Sequence, residues 1–187
     1  MSKIDLTKIS DFTKADVCTL LGEAIQMKAT PQKYRKALDG KTLLMLFAKP
    51  SLRTRVSFET GMTQLGGHAI YYNIMTSPLG KKENIHDTAK CLERYVDVIM
   101  ARVKDRADIH ALCKHAKVPV INALDDYAHP CQMLADLQTI CEHRLGGDAT
   151  SSSWSSLQMA YFGDCQNNVT YDIMRAAALM GFNLRVS

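Results

Sequence analysis

Thr42-Leu43-Leu44-Met45-Leu46-Phe47-Ala48, followed at once by Lys49-Pro50-Ser51-Leu52-Arg53-Thr54-Arg55, is the stretch on which the reading of this chain turns. Seven mostly apolar residues without a polar stripe at helical spacing predict a buried parallel strand. Pro50 stops that strand. Ser51 then stands where a helix would be capped, and Val56, Phe58, Met62 and Leu65 recur at helical spacing behind it. Gly66-Gly67 closes the pattern. A helix N-terminus offers unpaired backbone N–H groups and the positive end of a dipole. This first turn adds two hydroxyls and two guanidiniums, a donor set suited to a dianion such as phosphate. An Arg in a first turn opposes the dipole, so a pair of them costs stability unless an anion is bound. The competing reading is a solvated strand–turn–helix surface.

The totals allow one large domain or one and a half: 187 residues, 47% hydrophobic and 22% charged, with a net charge of +4. That mild positive charge suits an anionic small ligand. No Lys/Arg run points to nucleic acid or to a lipid surface. No apolar run of about 20 residues points to a membrane span. Cys18, Cys91, Cys113, Cys131, Cys141 and Cys165 form no Cys-x-x-Cys pair, and no apolar leader opens the chain. A reducing, cytoplasmic compartment without disulfides is therefore expected. Cys113-x-His115 and Cys141-x-His143 lie in helical patterns, where i and i+2 point apart, so no metal site is expected.

Before the opening strand, the apolar spacing predicts a helix from about Lys14 to Lys28 and a short one around Gln32–Leu38. Strand-like runs at Leu43–Ala48, His68–Asn73, Asp97–Arg102 and Val118–Asn122 alternate with helical patterns near 52–65, 86–95, 105–116 and 130–144. Such alternation predicts an α/β fold, a four-stranded parallel sheet flanked by helices. His143 to Ser153 reads as a linker or exposed loop. A strand at Leu157–Phe162, a helix at Asn168–Met180 and a strand at Asn183–Val186 then begin a second α/β domain. The expected division is 1–145 and 146–187. A unit ending on its second strand cannot close a core of its own, so the chain is expected to be a fragment of a longer two-domain protein, or to have its missing half supplied otherwise.

In open parallel sheets ligands bind beyond the carboxyl ends of the strands. Ser51–Arg55 follow the first strand, Ser77–Glu83 the second, Arg102 closes the third, and His129-Pro130-Cys131-Gln132 opens the helix after the fourth. Arg53, Arg55 and Arg102 suit bidentate contacts to phosphate or carboxylate. His129 could donate to a carbonyl oxygen, or simply cap the helix that Pro130 begins. Arg102 could equally be a surface charge at a strand end, and Lys81-Lys82-Glu83 a solvated loop. Gln132 can hold an amide. Cys131 reads as a small packed hydrophobe, and His68, His86, His110 and His115 as structural or solvent-facing. No nucleophile with a paired base is evident, which favours reaction by positioning and electrostatics on something like an acyl phosphate.

These residues are similar to those of a known family, the aspartate/ornithine carbamoyltransferases. Ser51-Leu52-Arg53-Thr54-Arg55 resembles its Ser-Thr-Arg-Thr-Arg motif, and His129-Pro130-Cys131-Gln132 its His-Pro-x-Gln motif. The likeness runs on through Phe58-Glu59, Gln64–Ala69, Leu79-Gly80, Glu83, Asp87-Thr88-Ala89, Leu134–Leu137 and Gly163–Val169. Asn167-Asn168 after Gly163-Asp164 is most similar to the family's ornithine-using branch. The resemblance implies that Ser51, Arg53, Thr54 and the backbone at Leu52 bind the phosphate of carbamoyl phosphate. It implies that Arg102, His129 and Gln132 hold the carbamoyl group as the catalytic set, and that Asn168 contacts L-ornithine. It further implies transfer to the δ-amine of ornithine to give citrulline and phosphate, in a homotrimer, with no metal or organic cofactor.

Two departures bear on this. Leu52 replaces the family's usual Thr, as it does in relatives that use acylated ornithine. The family's later ornithine loop and His-Cys-Leu-Pro motif do not occur in the 187 residues. Little turnover is therefore expected of the isolated chain. Aspartate, putrescine or an acylated ornithine remain alternative acceptors, and a non-catalytic carbamoyl-phosphate-binding fragment is the alternative of another class. A dinucleotide-binding domain is excluded by the lack of Gly-x-Gly-x-x-Gly after a strand.

Overall fold

The structure is a computed structural model and describes residues 3–76 and 84–187. In chain order its elements are α1 (Lys14–Ala29), β1 (Thr42–Phe47), α2 (Leu52–Gln64), β2 (His68–Asn73), α3 (Ile85–Leu92), β3 (Val98–Arg102), α4 (Arg106–His115), β4 (Val120–Leu124), α5 (Pro130–Arg144), β5 (Gln158–Tyr161), α6 (Asn168–Met180) and β6 (Asn183–Val186). Two compact units result, Met1–Thr7 with Gln32–Asp126 and Lys8–Pro31 with Tyr127–Ser187. No helix of the described residues is long and apolar enough to cross a membrane.

The first unit is the expected parallel sheet, in the order β2-β1-β3-β4. β1 sits inside the sheet and is covered on both faces, which is why its sequence is a continuous apolar run rather than an alternation. Leu43, Met45 and Phe47 pack towards α2 with Met62 and Phe58, while Leu44 and Leu46 pack with Ile99, Ile109 and Leu112 on the other face. β2 is an edge strand and alternates between exposed and half-buried residues. Gly66 ends α2 at φ 87°, and a Cβ there would stand 2.6 Å from the Arg35 carbonyl oxygen. Only glycine meets both demands.

Several boundaries differ from the sequence reading, and three of the differences have a visible local character. β4 lies two residues later than expected, because the N-terminal segment docks on it: the Leu6 N–H donates to the Val120 carbonyl (2.9 Å), and the Asn122 N–H to the Leu6 carbonyl (2.8 Å). α3 begins earlier, since the Asn84 side chain accepts the Asp87 N–H and caps it. Gln32–Leu38 is no helix of its own but a single 3-10 turn at Pro31–Tyr34, followed by further turns.

In the second unit β5 and β6 pair in parallel, as the renewed alternation predicts. Its core joins Val17 and Leu21 of α1, Met133 and Leu137 of α5, and Ala176 and Met180 of α6. The stretch read as an exposed loop is partly core, with Leu145 and Ala149 buried, and Trp154 just beyond it is buried completely. The Ala149 carbonyl accepts the Trp154 indole N–H (2.9 Å), so the ring is buried with its one donor satisfied. Trp154 alone among the serines gave no periodic signal.

Candidate active site

In the first unit, strand register brings the candidate anion-binding residues together. Phe47 at the end of β1 lies opposite Arg102 at the end of β3. The loop leaving β1 and the last side chain of β3 therefore share one edge. Arg102 Nη1 donates to Thr54 Oγ1 and to the Ala123 carbonyl, each at 3.4 Å. The Ser51 hydroxyl also donates to Thr54 Oγ1, at 3.0 Å. Ser51 stands at the N-cap position but makes no side-chain cap, so α2 begins with its first-turn amides uncapped by that residue.

Charge in this cradle is unbalanced. The first turn of α2 carries no acidic residue. Arg102 Nε is buried and has no hydrogen-bond partner among the described residues. Burial, and then the neighbouring charge of Arg53, pull the Arg102 pKa down. A half-buried guanidinium with an unused donor, beside a second cation and an open helix N-terminus, is a site short of a negative charge. Leu52 is 80% exposed there, leaving its backbone as its contribution to an anion site. Arg55 is drawn elsewhere, in contrast to its reading as an anion ligand. Its Nε donates to Glu59 at 2.9 Å, and its guanidinium lies 3.8 Å from the centre of the Tyr71 ring. Ser77–Glu83, including Lys81 and Lys82, lie outside the described residues.

In the second unit His129 occupies the N-cap of α5 and Pro130 its first position. The Gln132 N–H donates to His129 Nδ1 at 3.4 Å. An imidazole that accepts at Nδ1 and is neutral carries its proton on Nε2. The capping and donating readings of His129 are thus compatible, because the cap occupies one nitrogen and leaves the other the donor. Gln132 is turned along its helix, its amide donating to Asp136 at 2.9 Å. Cys131 carries a thiol pushed up to about 12 by burial, so it is no nucleophile near neutral pH. Asn168 is the first residue of α6; the cap is Asn167, whose Oδ1 accepts from Val169 (2.9 Å) and Thr170 (3.0 Å). Among the described residues no group of three or more His, Cys, Asp or Glu could hold a metal ion.

Residues 5–142 match the family model described as aspartate/ornithine carbamoyltransferase, carbamoyl-P binding domain. The chain belongs to the aspartate/ornithine carbamoyltransferase family. It is 45% identical over 185 residues to an ornithine carbamoyltransferase of Thermococcus kodakarensis, covering 98% of this chain and 56% of that protein. A crystal structure of ornithine transcarbamoylase from Giardia lamblia superposes with a TM-score of 0.89 at 43% identity, covering 100% of this chain and 58% of that one. The ornithine carbamoyltransferase of Pyrococcus furiosus gives 0.88 at 43%, covering 100% and 57%. The chain thus spans little more than half the length of these relatives.

For a carbamoyltransferase family member, two groups escaped the sequence reading. Asp172 and Arg175 on α6 hold the entry to α5: the His129 N–H donates to Asp172 Oδ2 at 2.5 Å, and Arg175 Nη1 donates to the Tyr127 carbonyl at 3.2 Å. The only signal was an acid and a base three residues apart on a helix, which is commonplace. Leu124, at φ 157°, is the other: the chain twists there as β4 ends, beside a register shift between Ala101 and Arg102.

Proposed function

We propose that this chain binds carbamoyl phosphate and serves transfer of its carbamoyl group to the δ-amine of L-ornithine, giving L-citrulline and phosphate. The observation that carries the reading is the acid-free first turn of α2, without a side-chain cap from Ser51, beside Arg102, whose buried Nε lacks a partner among the described residues. Ser51, Arg53, Thr54 and the Leu52 backbone N–H take the phosphate, and Arg102 reaches both it and the carbamoyl end. His129 donates its Nε2–H to the carbamoyl oxygen, and Gln132 holds the amide. Asn168 contacts ornithine.

The uncharged amine attacks the carbonyl carbon, forming C–N as the bond to the phosphate oxygen breaks. The amine loses a proton, and phosphate leaves with the bonding pair. Arg102 and His129 stabilise the oxyanion that develops on the way, and no covalent enzyme intermediate is needed. Residues 1–145 are assigned to carbamoyl-phosphate binding and 146–187 to the start of an amino-acid-binding domain. That none of the six cysteines is in a disulfide supports a reducing, cytoplasmic setting. Exposed Ile70 and Tyr72 on edge strand β2 support self-association, for which a homotrimer is proposed.

The test is product formation with carbamoyl phosphate and a panel of amines: ornithine, acylated ornithine, aspartate and putrescine. Citrulline and phosphate released in equal amounts, with ornithine preferred, is the expected result even if turnover is slow. Preference for another amine would overturn the substrate assignment. Release of phosphate at one rate whatever the amine would overturn the transfer itself.

A further inference from the structure

Asp172 has no solvent exposure, and the reaction as written has no use for it. A buried carboxylate is costly unless its oxygens are hydrogen-bonded, and an ion pair does not by itself repay burial. The two oxygens are divided between different tasks. Oδ1 takes Arg175 Nη1 at 2.7 Å, and Oδ2 takes the backbone N–H of His129, 43 residues away in sequence, at 2.5 Å. Arg175 in turn reaches the Tyr127 carbonyl, and its guanidinium lies 4.2 Å from the centre of the Tyr127 ring. The segment from Tyr127 to His129 is therefore gripped from α6 at its two ends, through the ring and carbonyl of Tyr127 and the amide of His129.

The grip falls where the backbone most needs it. Pro130 has no N–H, so the His129 amide is the last one before α5 that a clamp can hold. His129 itself is neither helical nor extended, at φ −139° and ψ 67°. Its side-chain cap to the Gln132 N–H is long at 3.4 Å. A fixed peptide plane adds a shorter hold on the same residue.

We infer that Asp172, backed by Arg175, is a positioning residue for His129, fixing the backbone from which the imidazole offers its Nε2–H to the carbamoyl oxygen. This rests on the reading of His129 as a carbamoyl donor. The clamp never touches substrate. It acts by keeping one hydrogen bond in register, so its loss lowers affinity for the carbamoyl end and not for phosphate.

The test compares the affinities of the full 187-residue chain for carbamoyl phosphate and for inorganic phosphate, taken as a ratio so that a general loss of stability cancels. His129→Ala lowers the ratio by about fivefold to tenfold, the worth of one hydrogen bond. Asp172→Ala lowers it by a similar factor, and the double variant falls no further, the signature of two groups acting as one. Asp172→Asn keeps an acceptor for the His129 N–H and restores part of the ratio; being nearly isosteric, it also serves if Asp172→Ala does not fold. If His129→Ala lowers the ratio while folded Asp172 variants leave it unchanged, the clamp is refuted and the reading of His129 stands. If His129→Ala leaves the ratio unchanged, the reading of His129 falls and the clamp with it.

Discussion

Two helices here begin just beyond parallel strands, and they begin in opposite electrical conditions. At the start of α2, Ser51 spends its hydroxyl on Thr54, the first turn has no acid, and Arg102 keeps a buried Nε with no partner among the described residues. At the start of α5, the His129 side chain accepts from Gln132, its amide is held by buried Asp172, and Arg175 closes the Tyr127 carbonyl. Side chains likewise cap α1, α3, α4 and α6, through Thr13, Asn84, Asp105 and Asn167. α2 is left open where folding alone would favour closing it. A helix start that stability would fill, and that is instead lined with cations, fits the proposed ligand, which would supply the missing charge. The start of α5 is completed within the protein, which suits a group that must be in place before substrate arrives.

The contrast can be broken most dramatically through thiols. With its thiol raised to about 12, Cys131 at the start of α5 should alkylate at pH 8 on the order of a thousandfold more slowly than exposed Cys91 and Cys165. Equal rates, read by mass spectrometry of iodoacetamide-treated protein, would mean that the α5 start is open to water. At α2 the corresponding stroke is Arg102→Met. Losing one charge-assisted donor set should weaken inorganic phosphate by about tenfold to a hundredfold in calorimetry. Thermal stability should hold or rise, because a half-buried cation beside Arg53 has been removed.

A finer stroke compares the caps themselves. Asn167→Ala deletes a cap that serves two amides and should cost about 1 kcal/mol in denaturant unfolding. Ser51→Ala deletes none and should cost well under that, while still weakening phosphate. A Ser51 variant as damaging as the Asn167 one would show that α2 is capped after all.

How much of this was legible beforehand depends on the distance over which each feature is made. β1 and the start of α2 were readable because a buried parallel strand is apolar throughout and Pro50 stops it, both local effects. Arg102 was readable as a strand-end cation, and its meeting with Thr54 followed once β1 and β3 proved neighbours. The Asp172 clamp was not, since its partner is remote and its pairing with Arg175 resembles any surface ion pair. Nor was the diversion of Arg55 to Glu59 and Tyr71, because the pattern that marks an anion site also describes a helix face with its own acid one turn on. The late start of β4 came from Asp5 and Leu6, more than a hundred residues earlier.

The smallest expected effect is a surface control on the two helix starts. Asp97 has its pKa lowered by the Lys41 side chain and then by the Thr42 N–H. A carboxylate depressed in the folded state stabilises above its unfolded pKa, about 4, and that contribution is lost as pH falls through the folded value. Melting temperature should therefore drop below about pH 4, with a slightly shallower drop in Asp97→Asn. Identical slopes would remove Asp97 from the account of acid stability.

Calorimetric titration of carbamoyl phosphate into the chain tests the central claim most directly. The account predicts saturable binding at one site per chain, competed by inorganic phosphate and severely weakened in Arg53→Met and Arg102→Met. No binding, or binding that both variants retain in full, would contradict it and leave the open start of α2 without a ligand.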